Sequence, residues 1–203
     1  MNTDNYFSNG FHDARWHKSR VALYESILEL ASEKALAKIT ALDVAERAGV
    51  NRSTFYKHAK NPRELLREKL RDDLDRIREM TMRDTLHVSP GVVIRTASHN
   101  VLVHVVQNRG VYGPALEGSD EAALQQLLSG YIESTFRAIF DSGHVQLPFP
   151  ESELASGSRF AARFIAQGTV GVIAAWMSES DELDIDAFLD RFAAVLPDWF
   201  PLP

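Results

Sequence analysis

Cysteine is absent from all 203 residues. That removes disulfide frameworks, thiol nucleophiles and cysteine-held zinc together, and it suits a reducing compartment. A membrane-length apolar segment is not evident either. The uncharged stretch FIAQGTVGVIAAWM, Phe164 to Met177, spans 14 residues, short of the roughly 20 that a membrane-crossing helix takes. The opening MNTDNYFSNGFHDARWHKSR has no apolar centre flanked by positive charge, so it does not read as a secretory signal. A cytoplasmic protein with no membrane partner is the expectation. Strand-like alternation bounded by turn signals is missing, apart from an ambiguous run, Val101 to Val106, inside a longer helical pattern. Nucleophile–base pairs and phosphate loops are missing as well, so neither an enzyme nor a cofactor is predicted. Acids such as Asp181, Glu182 and Asp184 read as a solvated loop and a helix cap. His99 and His104 lie five apart, not at the four-residue spacing that aligns two imidazoles on one helix face. No third ligand accompanies them, and a metal site is not expected.

What is present is ordinary for a globular chain, with 45% hydrophobic and 25% charged residues. The net charge of −6 is unevenly spread. Residues 1–63 hold ten Lys/Arg against seven Asp/Glu, net +3, and the remainder carries net −9. A small basic module on an acidic body is compatible with binding phosphate backbones, because only a local positive face is needed. Periodicity predicts an all-α chain, with helices near 17–34, 41–48, 52–58, 62–86, 90–109, 120–141, 151–179 and 185–199, and one turn around 112–117. The starts are legible. Thr40 with Asp43 forms a capping box, Asn51 and Asp184 are N-caps, and Asn61-Pro62 and Ser89-Pro90 open two further helices. Residues 1–14 read as a flexible arm, 15–62 as a three-helix module, and 63–203 as a larger helical domain.

The stretch ITALDVAERAGVNRSTFYKHAKNPRELL, Ile39 to Leu66, is the most informative. A short helix carries Val44, Ala45 and Ala48 on one face. Gly49 ends it where the backbone needs positive φ. A second short helix starts after Asn51, with Phe55 turned inward. Two short helices about a tight glycine turn describe a helix-turn-helix. The second helix leaves Arg52, Ser53, Thr54, Tyr56, Lys57 and His58 on its outer face, side chains suited to phosphates and base edges in a major groove. Without further support, a solvated helical hairpin would explain the pattern as well.

These 28 residues closely resemble the DNA-binding domain of the tetracycline-repressor (TetR/AcrR-like) family. The likeness rests on Thr40, the A-x-x-A-G-V of Ala45 to Val50, the T-F-Y-K-H of Thr54 to His58 and the E-L-L of Glu64 to Leu66. It extends back over SILELASEKALAKIT, Ser26 to Thr40. The resemblance implies an N-terminal helix-turn-helix domain and a C-terminal helical domain for regulation and dimerisation. Thr40 and Tyr56 match phosphate-contacting positions, and Arg52, Ser53 and Lys57 match the variable base-reading positions. Thr54 matches a position that touches backbone or a thymine methyl. The chain departs from the pattern twice. Ala35 stands where the family usually has glycine. Pro62, which donates no hydrogen bond, stands where many members place a phosphate-binding lysine, leaving Lys60 or Arg63 to take over. With Asn51 and His58, these residues complete the predicted DNA interface.

For the C-terminal body the resemblance implies a dimer interface built from its last two helices. Gly168, Gly171 and Ala175 would allow close helix approach, and Phe188, Phe192 and Trp199 would face the mate; packing within one chain is the competing reading. It also implies a pocket for a small-molecule inducer, with Tyr112, Phe136, Phe140, Phe160, Phe164 and Trp176 as apolar candidates and His99 and His104 as polar ones. Each aromatic is equally readable as core. The function predicted is a ligand-responsive homodimeric repressor on a palindromic double-stranded operator, since helix-turn-helix dimers read paired half-sites. The alternative is a DNA-binding regulator that is constitutive or controlled by protein contacts, without an inducer.

Overall fold

The computed structural model describes residues 4–83, 88–116, 122–143, 145–179, 182–200 and 202, all of them helix, turn or loop. The chain forms two compact units, Met1–Leu70 and Arg71–Pro203.

In the first unit, α1 (Asp4–Glu33) contributes Leu23, Ile27 and Leu30, whose spacing of four and three residues puts them on one buried stripe. A 3₁₀ turn (Leu36–Lys38), α2 (Ala41–Arg47), α3 (Arg52–His58) and the start of α4 (Pro62–Arg83) close over that stripe with Val44, Phe55, Leu65 and Leu66, all fully buried. The helix begins well before residue 17, inside the segment expected as an arm. The sequence there, rich in Asn, Asp and Ser and interrupted by Gly10, does not favour a helix. The missing glycine at position 35 is resolved without a left-handed residue. Ala35 is extended (φ −53°, ψ 133°), and the chain leaves the helix through the 3₁₀ turn, where Lys38 N–H donates to the Ala35 carbonyl at 2.8 Å.

The second unit continues with α5 (Pro90–Gln107), α6 (Arg109–Leu116), α7 (Ala122–Asp141), a 3₁₀ turn (Glu151–Glu153), α8 (Leu154–Glu179) and α9 (Ile185–Val195). Its core draws on Leu74, Ile94, Val105, Leu128, Ile173 and Leu189, each no more than 1% exposed. α6 is a full helix where a single turn was expected. Gly110, Gly113 and Pro114 read as breakers, yet burial of Val111, Tyr112, Ala115 and Leu116 holds the helix. Tyr112 is completely buried, and its hydroxyl hydrogen-bonds His104 Nε2 at 3.1 Å. Asp184 caps α9 by accepting from Ala187 N–H at 3.0 Å, whereas Ser89 makes no side-chain cap bond. α9 stops at Val195, short of residue 199, because Leu196 precedes a proline and turns extended (ψ 152°). Extended by its 3₁₀ turn, α8 is long and apolar enough to cross a membrane by length and composition, beyond what the 14-residue stretch suggested. Its buried face, with Ala162, Ile165, Ala166, Val170 and Ile173, is the core of this unit.

Candidate nucleic-acid interface

α2 and α3 have seven residues each, too short to persist alone in water, so their ends and neighbours must hold them. At α2 the capping box is complete. Asp43 N–H donates to Thr40 Oγ1 at 3.1 Å, and Thr40 N–H donates to Asp43 Oδ2 at 2.9 Å. That backbone bond, with Lys34 Nζ at 3.0 Å, holds the Asp43 carboxyl below its usual pKa. At the far end Arg47 reaches α1, donating to both Glu33 oxygens at 2.9 Å and to Glu29 at 3.1 Å. The paired bonds from Arg47 lower the Glu33 pKa in turn.

Gly49 then turns the chain at φ 64°, with open space where a Cβ would lie, so the backbone angle and not crowding demands glycine. Asn51 receives it. Its side-chain carbonyl accepts from Thr54 N–H at 2.7 Å and from the hydroxyls of Ser53 and Thr54 at 2.7 and 2.9 Å. Phe55 anchors α3 from below at 0% exposure, and Tyr56 stands edge-on to it, 49% exposed. The Arg52 guanidinium lies 5.4 Å from the centre of the Tyr56 ring, with one nitrogen 3.2 Å from its hydroxyl. Arg52, Ser53, Tyr56 and Lys57 thus share the outer surface of α3, and Thr54 is partly buried. Beyond it, Asn61 caps α4 by accepting from Glu64 N–H at 2.9 Å. Glu64 takes the Lys60 N–H at 2.6 Å, while the Lys60 ammonium, 87% exposed, stays 3.8 Å from that carboxylate. Arg63 is exposed beside it. Pro62 occupies the first helical position and leaves two solvated cations around it.

His58 departs from the expected role of a free outer donor. Its ring packs 4.7 Å from Trp16, and Nε2 is 2.8 Å from Ser19 Oγ. Its Nδ1 is buried without a hydrogen-bond partner among the described residues. Trp16 and Ser19 carry no sequence signal of this role beyond their three-residue spacing, which puts them on one face of α1. Burial first, then the charges of Arg20 and Lys57, holds the imidazole below its ordinary value of 6.5. A histidine kept neutral by the fold adds stability that is complete above that value and fades as pH falls through the folded one. The His58 ring proton should titrate below pH 6.5 by NMR, and the urea midpoint should drop between pH 7.5 and 5.5, less so in His58→Gln. A His58 titration at or above 6.5 would contradict this packing.

In the second unit, a cavity of about 50 Å³ lies among α5, α7, α8 and α9. Of the eight predicted pocket residues only Phe136 lines it. Phe160 and Phe164 point the other way, 70% and 69% exposed, because their turn of α8 faces outward. His104 and Tyr112 bond each other in the core, and Phe140 packs with Phe136, Trp199 and Phe200. Trp176 packs against Phe188 with ring centres 4.6 Å apart and planes tilted by 39°, and His99 is half-buried outside the cavity lining. The predicted dimer residues divide likewise. Gly168, Gly171 and Ala175 are exposed. Phe188 and Phe192 face inward and line the cavity, and Trp199 belongs to the aromatic cluster. The outer stripe of α8 is Phe160, Phe164, Gly168, Val172 and Ala175, at helical spacing, with Val195 of α9 73% exposed. Helix periodicity alone could have assigned Phe160 and Phe164 to that stripe, since each is four residues from the next.

Residues 23–68 match the model of the bacterial regulatory proteins of the tetR family. No curated protein matches the sequence. Solved structures resemble the chain over most of its length. The fatty acid degradation regulator FadR from Bacillus halodurans aligns with TM-score 0.65 at 13% identity, covering 87% of this chain and 93% of its own. A TetR transcriptional regulator from Streptococcus agalactiae 2603V gives 0.63 at 20% identity, covering 92% and 97%. SmeT, repressor of the Stenotrophomonas maltophilia multidrug efflux pump SmeDEF, gives 0.59 at 20%, covering 91% and 97%, and is also known as a triclosan complex. These likenesses establish the fold of the body, and the family model adds the identity of the head. Residues 23–68, the capped two-helix head with the helices beside it, are thus similar to the bacterial regulatory proteins of the tetR family, and the body shares the fold of the solved structures.

Proposed function

We propose that the protein is a homodimeric, ligand-responsive repressor that binds a palindromic operator. The observation that carries this reading is the outer face of α3, where Arg52, Tyr56 and Lys57 are exposed on a helix whose inner face is locked by Phe55 and whose start is capped by Asn51. Arg52 and Lys57 can reach base edges, Tyr56 and Thr40 can bond phosphates, and Lys60 and Arg63 supply the charge that Pro62 lacks. The α8 stripe supports self-association, since two mostly exposed phenylalanines a turn apart bury well against a copy of themselves. The cavity supports a small effector, in keeping with the triclosan complex of SmeT.

Selection from random duplexes, followed by binding titrations on the enriched sequence, tests the reading. The enriched site should have twofold symmetry. Affinity should fall steeply with salt, because each neutralised phosphate adds roughly −0.9 to the log–log slope. Two protomers, each contributing Lys60 and Arg63, would give a slope of about −4 from these four cations. A flat salt response, or no enriched sequence, would rule out an operator-binding role for this head.

A further inference from the structure

The walls of the cavity say what chemistry it accepts. Among the described residues its lining holds no charged side chain. α5 contributes Ile94, Val101 and Leu102, and α8 contributes Ile173. The polar atoms are hydroxyls, and two of them are already committed. Thr135 donates to the Tyr131 carbonyl at 2.9 Å, and Thr169 donates to the Ile165 carbonyl at 2.7 Å. Ser98 and Tyr131 bring the hydroxyls to four.

Arginines border the lining without belonging to it. Arg137 pairs with Asp141 at 3.6 Å, and Arg191 donates to the Ala187 carbonyl at 3.3 Å. Arg78 and Arg95 have carboxylate partners of their own, although Arg78 Nε is buried without a hydrogen-bond partner among the described residues. Arg78 sits 4.7 Å over the ring of Tyr131, a residue of the cavity lining, and donates to Asp75 at 3.2 Å. Arg95, next to Ile94, is paired with Asp190 at 2.8 Å and with Asp186 at 3.6 Å. A carboxylate or ammonium entering this space would shed its hydration and find no opposite charge. An uncharged guest loses little, gains dispersion contacts with the apolar walls and can still bond a hydroxyl.

We propose that the effector of this protein is a small, uncharged, predominantly apolar molecule carrying at most one hydroxyl-like group, and that ionised acids are excluded. This rests on the ligand-responsive reading above and narrows it to one ligand class. The volume of about 50 Å³ is modest beside the roughly 150 Å³ of a cavity known to take benzene. The guest is accordingly of single-ring or short-chain size and widens the space as it enters.

The probes are 1-hexanol and hexanoate, matched in length, at pH 8, where the acid is fully ionised. Calorimetric titration of the intact protein should show saturable hexanol binding, with a concentration-dependent rise in Tm, and hexanoate binding at least about 100-fold weaker. Thr169→Leu and Ser98→Leu, which fill the space from two different helices, should each abolish hexanol binding, and circular dichroism identifies the variant that keeps its fold. Equal or tighter binding of hexanoate overturns the ligand class. So does the absence of hexanol binding to the wild type, or its persistence in a folded cavity-filling variant. Operator affinity is read separately by gel shift. Hexanol that binds the cavity but leaves operator affinity unchanged would uphold the ligand class and sink the ligand-responsive reading.

Discussion

Phe164→Asp is expected to convert the protein into a folded monomer with little operator affinity. Phe160 and Phe164 are 70% and 69% exposed in the single chain, so the substitution leaves the core intact. In the proposed dimer each phenylalanine is covered by the mate, and full burial of such a side chain is worth about 1.5–3 kcal/mol. The twofold axis doubles every change, and the introduced carboxylates face each other or an apolar surface. A loss of about 5 kcal/mol or more follows, over a thousandfold in dimer dissociation constant. Sedimentation equilibrium reads this directly, with circular dichroism as the check on folding. Operator binding should fall in step, since a lone head loses the gain of holding two half-sites at once. A variant that stays dimeric would place the self-association surface elsewhere. The stripe has a favourable composition for the role, because Gly168 and Ala175 lie along it and let a partner helix come close.

The second large effect belongs to the head. Arg52→Ala together with Lys57→Ala should weaken operator binding by about 4–12 kcal/mol across a dimer, roughly a thousandfold or more, since a side chain bonded to a base edge is worth about 1–3 kcal/mol. Thermal stability should scarcely change. Both side chains are exposed, and the stacking of Arg52 on Tyr56 is worth only about 0.5–1 kcal/mol at such a site. The two single variants separate reading from holding. A side chain that reads a base should relax preference at one operator position, whereas one that only meets phosphate should weaken all sequences alike and flatten the salt slope. Unchanged affinity in the double variant would mean that α3 does not enter the groove.

The head was legible because its elements are marked at both ends. Thr40 with Asp43, Gly49, Asn51 and Asn61-Pro62 are local signals, each acting within three or four residues, and the helix bounds they give match α3 and overrun α2 by one residue, Ala48. The phenylalanines were harder. A buried phenylalanine and one on an outer stripe have the same composition, and only register along α8 distinguishes Phe164 from Ile165. The grouping of pocket residues was beyond local reading for a further reason. The cavity is walled by helices from separate parts of the chain, and its lining is set by how Ile94, Phe136 and Leu189 come together. His58 shows the same limit. Outer placement on α3 is correct by helix geometry, but Trp16 and Ser19 come from the other end of the unit and cover it.

The three hydrogen bonds converging on the Asn51 carbonyl carry a consequence for speed. The first turn of α3 is fixed before any encounter, and Ser53 and Thr54 are held with it. Recognition by this helix has no folding step and forfeits little backbone entropy at the moment of contact. Association should then be governed by electrostatic attraction and diffusion, with differences between cognate and mutated operators appearing mainly in the lifetime of the complex.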